Sequence, residues 1–130
     1  MPTVDELLAT ARSTLARVSP AEAVEAVEHG AVLVDIRSDS QRDRDGVLPG
    51  AVHVPRNVLE WRADPSSEHR DPRIADPAWT VIVVCQEGYQ SSLAAATLQA
   101  LGLPRATDLI GGFEAWRAAG LSVAVTIDDR

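Results

Sequence analysis

The chain has 130 residues with 12 basic and 19 acidic side chains, a formal net charge of −7 and one cysteine. At 45% apolar and 24% charged residues it can bury the core of one compact domain, which excludes wholesale disorder. One Cys excludes an internal disulfide and a multi-cysteine metal cluster, the acidic balance argues against nucleic acid, and the absence of lysine excludes Schiff-base and Walker-lysine chemistry.

The N-terminal MPTVDELLATARSTL carries acids early and lacks an apolar stretch of signal-peptide length. Nothing approaches the roughly 18 apolar residues that span a bilayer. A cytoplasmic protein with no membrane partner is expected, its lone thiol kept reduced. Val4, Leu7, Leu8, Ala11 and Leu15 recur at a helical period behind Thr3 as a cap, which predicts a helix over residues 4–15 inside an N-terminal extension, residues 1–17. That helix is a candidate packing element or homodimer contact. Ser19 with Glu22 forms a capping box, Pro20 suits the first helical position and Gly30 the end of a second helix.

Residues 31–36 are an apolar run interrupted only by Asp35, as in a strand buried on both faces. Residues 38–45 are polar, either a loop or a short solvated helix. Residues 50–55 form a second short strand. With Pro65, Pro72 and Pro77, residues 56–80 read as an irregular surface excursion, helical at most over 57–62. Residues 80–85 are the clearest buried strand, running through a loop into a helix over 91–101 that Gly102 and Pro104 end. A short strand over 107–110, a turn at Gly111-Gly112 and a helix over 113–119 follow. Residues 123–127 form a last edge strand and 128–130 a tail. This alternation predicts one α/β domain: a mostly parallel sheet of about five strands with helices on both faces.

Cys85 closes the clearest strand, before a glycine-bearing loop and a helix start. In open α/β sheets ligands bind at the carboxyl ends of strands, where loop N–H groups and the helix's positive end favour an anion. A thiolate held there is a nucleophile, and Gly88 allows the tight inward turn of the backbone. The alternative is a small buried hydrophobe.

The stretch CQEGYQSS, Cys85 to Ser92, resembles the active-site loop of the rhodanese sulfurtransferases. Residues 32–37, ending Asp-Ile-Arg, resemble that family's early strand. Residues 46–51, GVLPGA, resemble its second signature, with Gly46 and Val47 where the motif often has a His. Residues 109–116, LIGGFEAW, resemble its closing motif. The four matches fall in the family's order over roughly residues 18–124, and a three-layer rhodanese-like domain over 18–127 is expected.

The resemblance implies sulfur transfer: Cys85 takes a sulfane sulfur from thiosulfate or a persulfide and passes it to a thiol or cyanide-like acceptor. No cofactor is expected, and no metal, since His29, His53 and His69 are scattered and a lone Cys with separated His is poor zinc spacing. The loop Gln86, Glu87, Gly88, Tyr89, Gln90 and Ser91 would supply anion-binding N–H groups, with Ser91 and Ser92 capping the helix. Many members bear a cation in this loop, whereas here Glu87 adds a negative charge. Residues 37–73 hold seven Arg and seven acids, the rest five Arg and twelve acids, so Arg56 and Arg62 are candidate substrate contacts or else solvated surface groups. Arg37 reads as the partner of a nearby carboxylate. The related phosphatases need an Arg after the nucleophile, and none occurs between Arg73 and Arg105. The rival class is a non-catalytic module of the same fold that binds a partner or senses redox state.

Overall fold

The computed structural model describes residues 2–125. Four strands, β1 (Val32–Asp35), β2 (Val52–His53), β3 (Val81–Val84) and β4 (Ala106–Asp108), form one parallel sheet in the spatial order β2-β1-β3-β4. The apolar run of β3 is wholly buried because the sheet is covered on both faces. Alternate residues feed two cores. Val34, Val81 and Val83 pack with Leu59, Ala63, Ala94, Ala95 and Leu98 on one face. Leu33, Ile82 and Val84 pack with Ala23, Phe113 and Trp116 on the other.

Six α-helices supply those layers among the described residues: α1 (Val4–Arg12), α2 (Pro20–Glu28), α3 (Asp39–Asp45), α4 (Leu59–Ala63), α5 (Gln90–Ala100) and α6 (Gly112–Ala118). The expected capping box of α2 is present, Ser19 Oγ accepting from Glu22 N and Glu22 reaching back to Ser19 N. Residues 38–45 resolve to the helical alternative, with a second capping box between Ser38 and Gln41. The excursion over 56–80 keeps its expected short helix, a 3-10 turn at Arg56–Val58 running into α4.

The sheet has four strands rather than about five. The segment before α2 contributes a single parallel bridge, Val18 to Leu109, because Ser19 turns into its cap and Pro20 has no N–H to continue the ladder. At the end of the chain Ala124 makes a single antiparallel bridge to Val47, with Pro49 at the next paired position. Residues 126 and 127 of the expected last strand lie outside the described residues. The first helix stops at Arg12 rather than residue 15, where Ser13 Oγ bonds back to the Thr10 carbonyl. It packs on α5 of its own chain, burying Ala11 and leaving Val4 and Leu7 exposed. No helix among the described residues is long and apolar enough to cross a membrane.

Candidate active site

β3 delivers Cys85 to its carboxyl end, 7% exposed, and the chain reverses over four residues into α5. The helix begins at Gln90, one residue earlier than the sequence indicates, with Tyr89 before it. The sulfur lies inside this turn. Gly88 N–H donates to Cys85 Sγ at 3.1 Å and Ser91 N–H at 3.3 Å, so two backbone donors already face the atom that would carry negative charge.

The turn is supported by backbone on backbone. The Cys85 carbonyl accepts from Phe113 N at 2.8 Å and the Gln86 carbonyl from Glu114 N at 3.1 Å, so the first turn of α6 is bonded to the loop. Such proximity requires glycine. A Cβ on Gly112 would lie 2.4 Å from the Cys85 carbonyl oxygen, and one on Gly88 2.7 Å from Gly111 N. Gly88 also adopts φ +88°, which disfavours any side chain. Gly111-Gly112 is therefore more than the turn its dipeptide suggests: it forms the floor of the loop.

Below the loop sits a buried polar cluster centred on Asp108, fully buried at the end of β4. Ser91 Oγ and Ser92 Oγ both donate to Asp108 Oδ2, at 2.8 and 2.7 Å. The two serines were expected to cap α5; their hydroxyls turn instead to this carboxylate, the strongest buried acceptor within reach. Arg17 grips Asp108 with Nε at 2.8 Å and Nη2 at 3.2 Å. Its Nη2 also reaches the Gly88 carbonyl at 3.1 Å. Arg12, from α1, donates to that same carbonyl at 2.8 Å and to Ser92 Oγ at 3.0 Å. Neither arginine carries a local sequence signal, because both act on residues more than 70 positions away.

Gln86 holds the outer side. Its amide nitrogen donates to Asp45 Oδ2 at 2.9 Å and Glu114 Oε2 at 2.7 Å, and its oxygen accepts from Arg37 Nη1 at 3.3 Å. Arg37 is the fold partner expected of it. It is paired to Asp35 at 2.9 Å, bonded to the Gly46 carbonyl at 2.8 Å, and lies 3.9 Å from the Phe113 ring centre. The Gln86 amide, followed by Arg117, holds Glu114 below the ordinary carboxylate range, and Arg44, with help from Gln86, does the same for Asp45.

Depressed carboxylates contribute stability above their unfolded pKa, about 4, and lose it as pH falls through the lower folded value. The melting temperature therefore falls as pH drops below about 4 partly through this anchor, and Gln86→Leu shows a shallower acid slope than the native protein. Equal slopes in a pH series of thermal melts would remove the anchor from the explanation.

A cavity of about 320 Å³ opens over the sulfur, lined by Ile36, Arg37, Gln41, Cys85, Gln86, Glu87, Tyr89 and Gln90. The structure thus brings the expected loop residues to one mouth, with Gly88 and Ser91 forming the cradle beneath. Arg56 stands at its edge, donating to Gln90 Oε1 at 3.3 Å while bound to Glu60 at 2.8 Å. Arg62 does not join it; its guanidinium donates to the His69 carbonyl at 3.0 Å. Glu87 is exposed and has no hydrogen-bond or ion-pair partner among the described residues. No group of three or more metal-ligating side chains occurs among the described residues.

A rhodanese-like domain matches residues 19–119. The chain is 39% identical over 106 residues to the thiosulfate sulfurtransferase GlpE of Ectopseudomonas mendocina, covering 82% of this chain and 88% of that one. The protein of the same name from Pseudomonas savastanoi pv. phaseolicola is 36% identical over 102 residues, with 78% and 87% covered. Among solved structures, a Rhodopseudomonas palustris protein of unknown function, described as a possible tyrosine phosphatase, superposes with a TM-score of 0.86 at 32% identity, 95% of each chain being covered.

Proposed function

The chain belongs to the rhodanese-like domain family, and we propose that it works as a single-domain sulfurtransferase in which Cys85 carries the sulfur as a persulfide. The observation that carries this reading is the pair of backbone N–H groups at 3.1 and 3.3 Å from Sγ, at the mouth of an open cavity. With thiosulfate, which the relatives' name supports as donor, Cys85 thiolate attacks the outer sulfur. The donor S–S bond breaks and sulfite departs with its electron pair, leaving Cys85–S–S⁻. An acceptor thiolate or cyanide then attacks the terminal sulfur, and the Cys85 thiolate leaves. The loop N–H groups stabilise the negative sulfur at each stage. We place the protein in the cytoplasm, where the thiol stays reduced. We extend the proposal to a homodimer through the exposed Val4 and Leu7 of α1, with sedimentation as the check.

Intact mass spectrometry after incubation with thiosulfate, or with a small-molecule persulfide, tests the reading. The expected result is the mass of one added sulfur atom, released by cyanide and absent from protein whose thiol was first alkylated. No adduct from any donor, with the thiol alkylatable, would instead favour the non-catalytic partner-binding or redox-sensing module.

The unpaired Glu87 at the cavity rim opposes the approach of a dianion. Glu87→Gln is expected to raise kcat/KM for thiosulfate about threefold at low ionic strength, with the gain shrinking as salt screens the charge. An unchanged value in steady-state assays would show that the carboxylate points away from the donor's path.

A further inference from the structure

The active-site loop contains no cation; Arg56, at the cavity edge, has its charge matched by Glu60, and Arg62 is engaged with the His69 carbonyl. We propose that Arg12 supplies it: the N-terminal helix α1, outside the matched domain, provides a positioning residue that sets the reactivity of Cys85 through the Gly88 peptide. The inference rests on Cys85 being the reactive atom.

Three contacts carry it. Arg12 Nη2 donates to the Gly88 carbonyl at 2.8 Å, Nε donates to Ser92 Oγ at 3.0 Å, and its guanidinium carbon lies 5.7 Å from the Tyr89 ring centre. One side chain thereby touches residues before and inside the first turn of α5. A peptide unit is planar with its C=O and N–H opposed. Drawing the Gly88 carbonyl outward directs the Tyr89 N–H to the opposite side of the loop, away from the two guanidinium groups. The same glycine's own N–H is the donor 3.1 Å from the sulfur. Arg12 thus holds the peptide that follows the Gly88 α-carbon, next to the one that carries the donor to the sulfur.

Charge separates Arg12 from its neighbour. Arg17 holds the same carbonyl, but its charge is matched by Asp108 at 2.8 Å. No carboxylate lies within ion-pairing distance of Arg12 among the described residues. Its positive charge is therefore uncompensated, one residue's span behind the cradle, and hydrogen bonds from a charged donor are stronger and more orienting than neutral ones. A negative persulfide on Cys85 forms in that field, while the arginines nearest the cavity, Arg37 and Arg56, have their charges matched by Asp35 and Glu60.

Alkylation of the thiol measures this without any sulfur donor. Arg12→Gln is expected to slow Cys85 alkylation by iodoacetamide about tenfold, and by the anionic iodoacetate further still. Arg12→Lys, which keeps the charge but loses the fork, is expected to recover most of the rate. The preference for the anionic reagent weakens with salt in the native protein and is absent from Arg12→Gln. A purely structural residue would lower the melting temperature of Arg12→Gln and leave its alkylation unchanged, and that result overturns the proposal. Should Arg12→Gln not fold, a reagent preference in the native protein that is indifferent to salt overturns it equally. If the native thiol reacts no faster than a free cysteine, the reading of the site itself fails. A fast native reaction unaltered by Arg12→Gln removes the role of α1 alone.

Discussion

Cys85→Ser retains the fold and loses sulfur transfer to background. A serine hydroxyl is smaller than the thiol and accepts from the same Gly88 and Ser91 N–H groups, so the cradle keeps its partners. The carbonyl of residue 85 still accepts from Phe113 N, since that bond belongs to the backbone. Chemistry changes instead: a hydroxyl remains protonated near neutral pH and forms no persulfide, and a double displacement without its nucleophile has no covalent intermediate. Turnover with thiosulfate is expected to fall by on the order of 10³ or more, with no added sulfur in the intact mass and a thermal melt close to the native one. Retention of even a tenth of the native rate would place the reaction on another group and overturn the assignment of Cys85.

Asp108→Asn is expected to produce the largest loss of stability. The carboxylate is fully buried and accepts from Ser91, Ser92 and both ends of the Arg17 fork, with Arg17 only 17% exposed at its side chain. Removing one member of such a pair strands the other's charge in a poorly solvated place, at a cost of about 3 kcal/mol. For a domain of this size that corresponds to a melting temperature lower by roughly 10 °C. Activity falls as well, because Ser91 and Ser92 open α5 and Ser91 N–H is one of the donors to the sulfur. Calorimetry checks the first expectation and alkylation of Cys85 the second. A melt within 2–3 °C of native, against the roughly 10 °C expected, would mean that water already reaches the cluster.

The sheet was legible because its evidence is local and dense. Residues 31–34 and 81–85 are apolar runs that fit a doubly covered sheet, and Ser19, Pro20 and Glu22 write the start of α2 within four positions. Cys85 was legible through its place at a strand end before a glycine. What supports it was not. Arg12, Arg17 and Asp108 stand 76, 71 and 20 positions from Gly88, and only the fold brings them together. Gly111-Gly112 looks like any tight turn until α6 is seen lying against the loop. The serines at 91 and 92 show the opposite failure. Their local role as caps was plausible, yet a buried carboxylate from β4 outcompeted the helix end.

Two of the bonds between the loop and α6 run from main chain to main chain, and their closeness depends on residues 88 and 112 having no side chain. Scaffold and selectivity are consequently written in different letters. Glu87 and Gln90 are exposed, so their identities can drift, or be rewritten by an engineer, with the floor undisturbed, whereas Tyr89 is tied to Arg12 through its ring. A lineage adapting to a new sulfur source could exchange these two residues in either order, without passing through a misfolded ancestor.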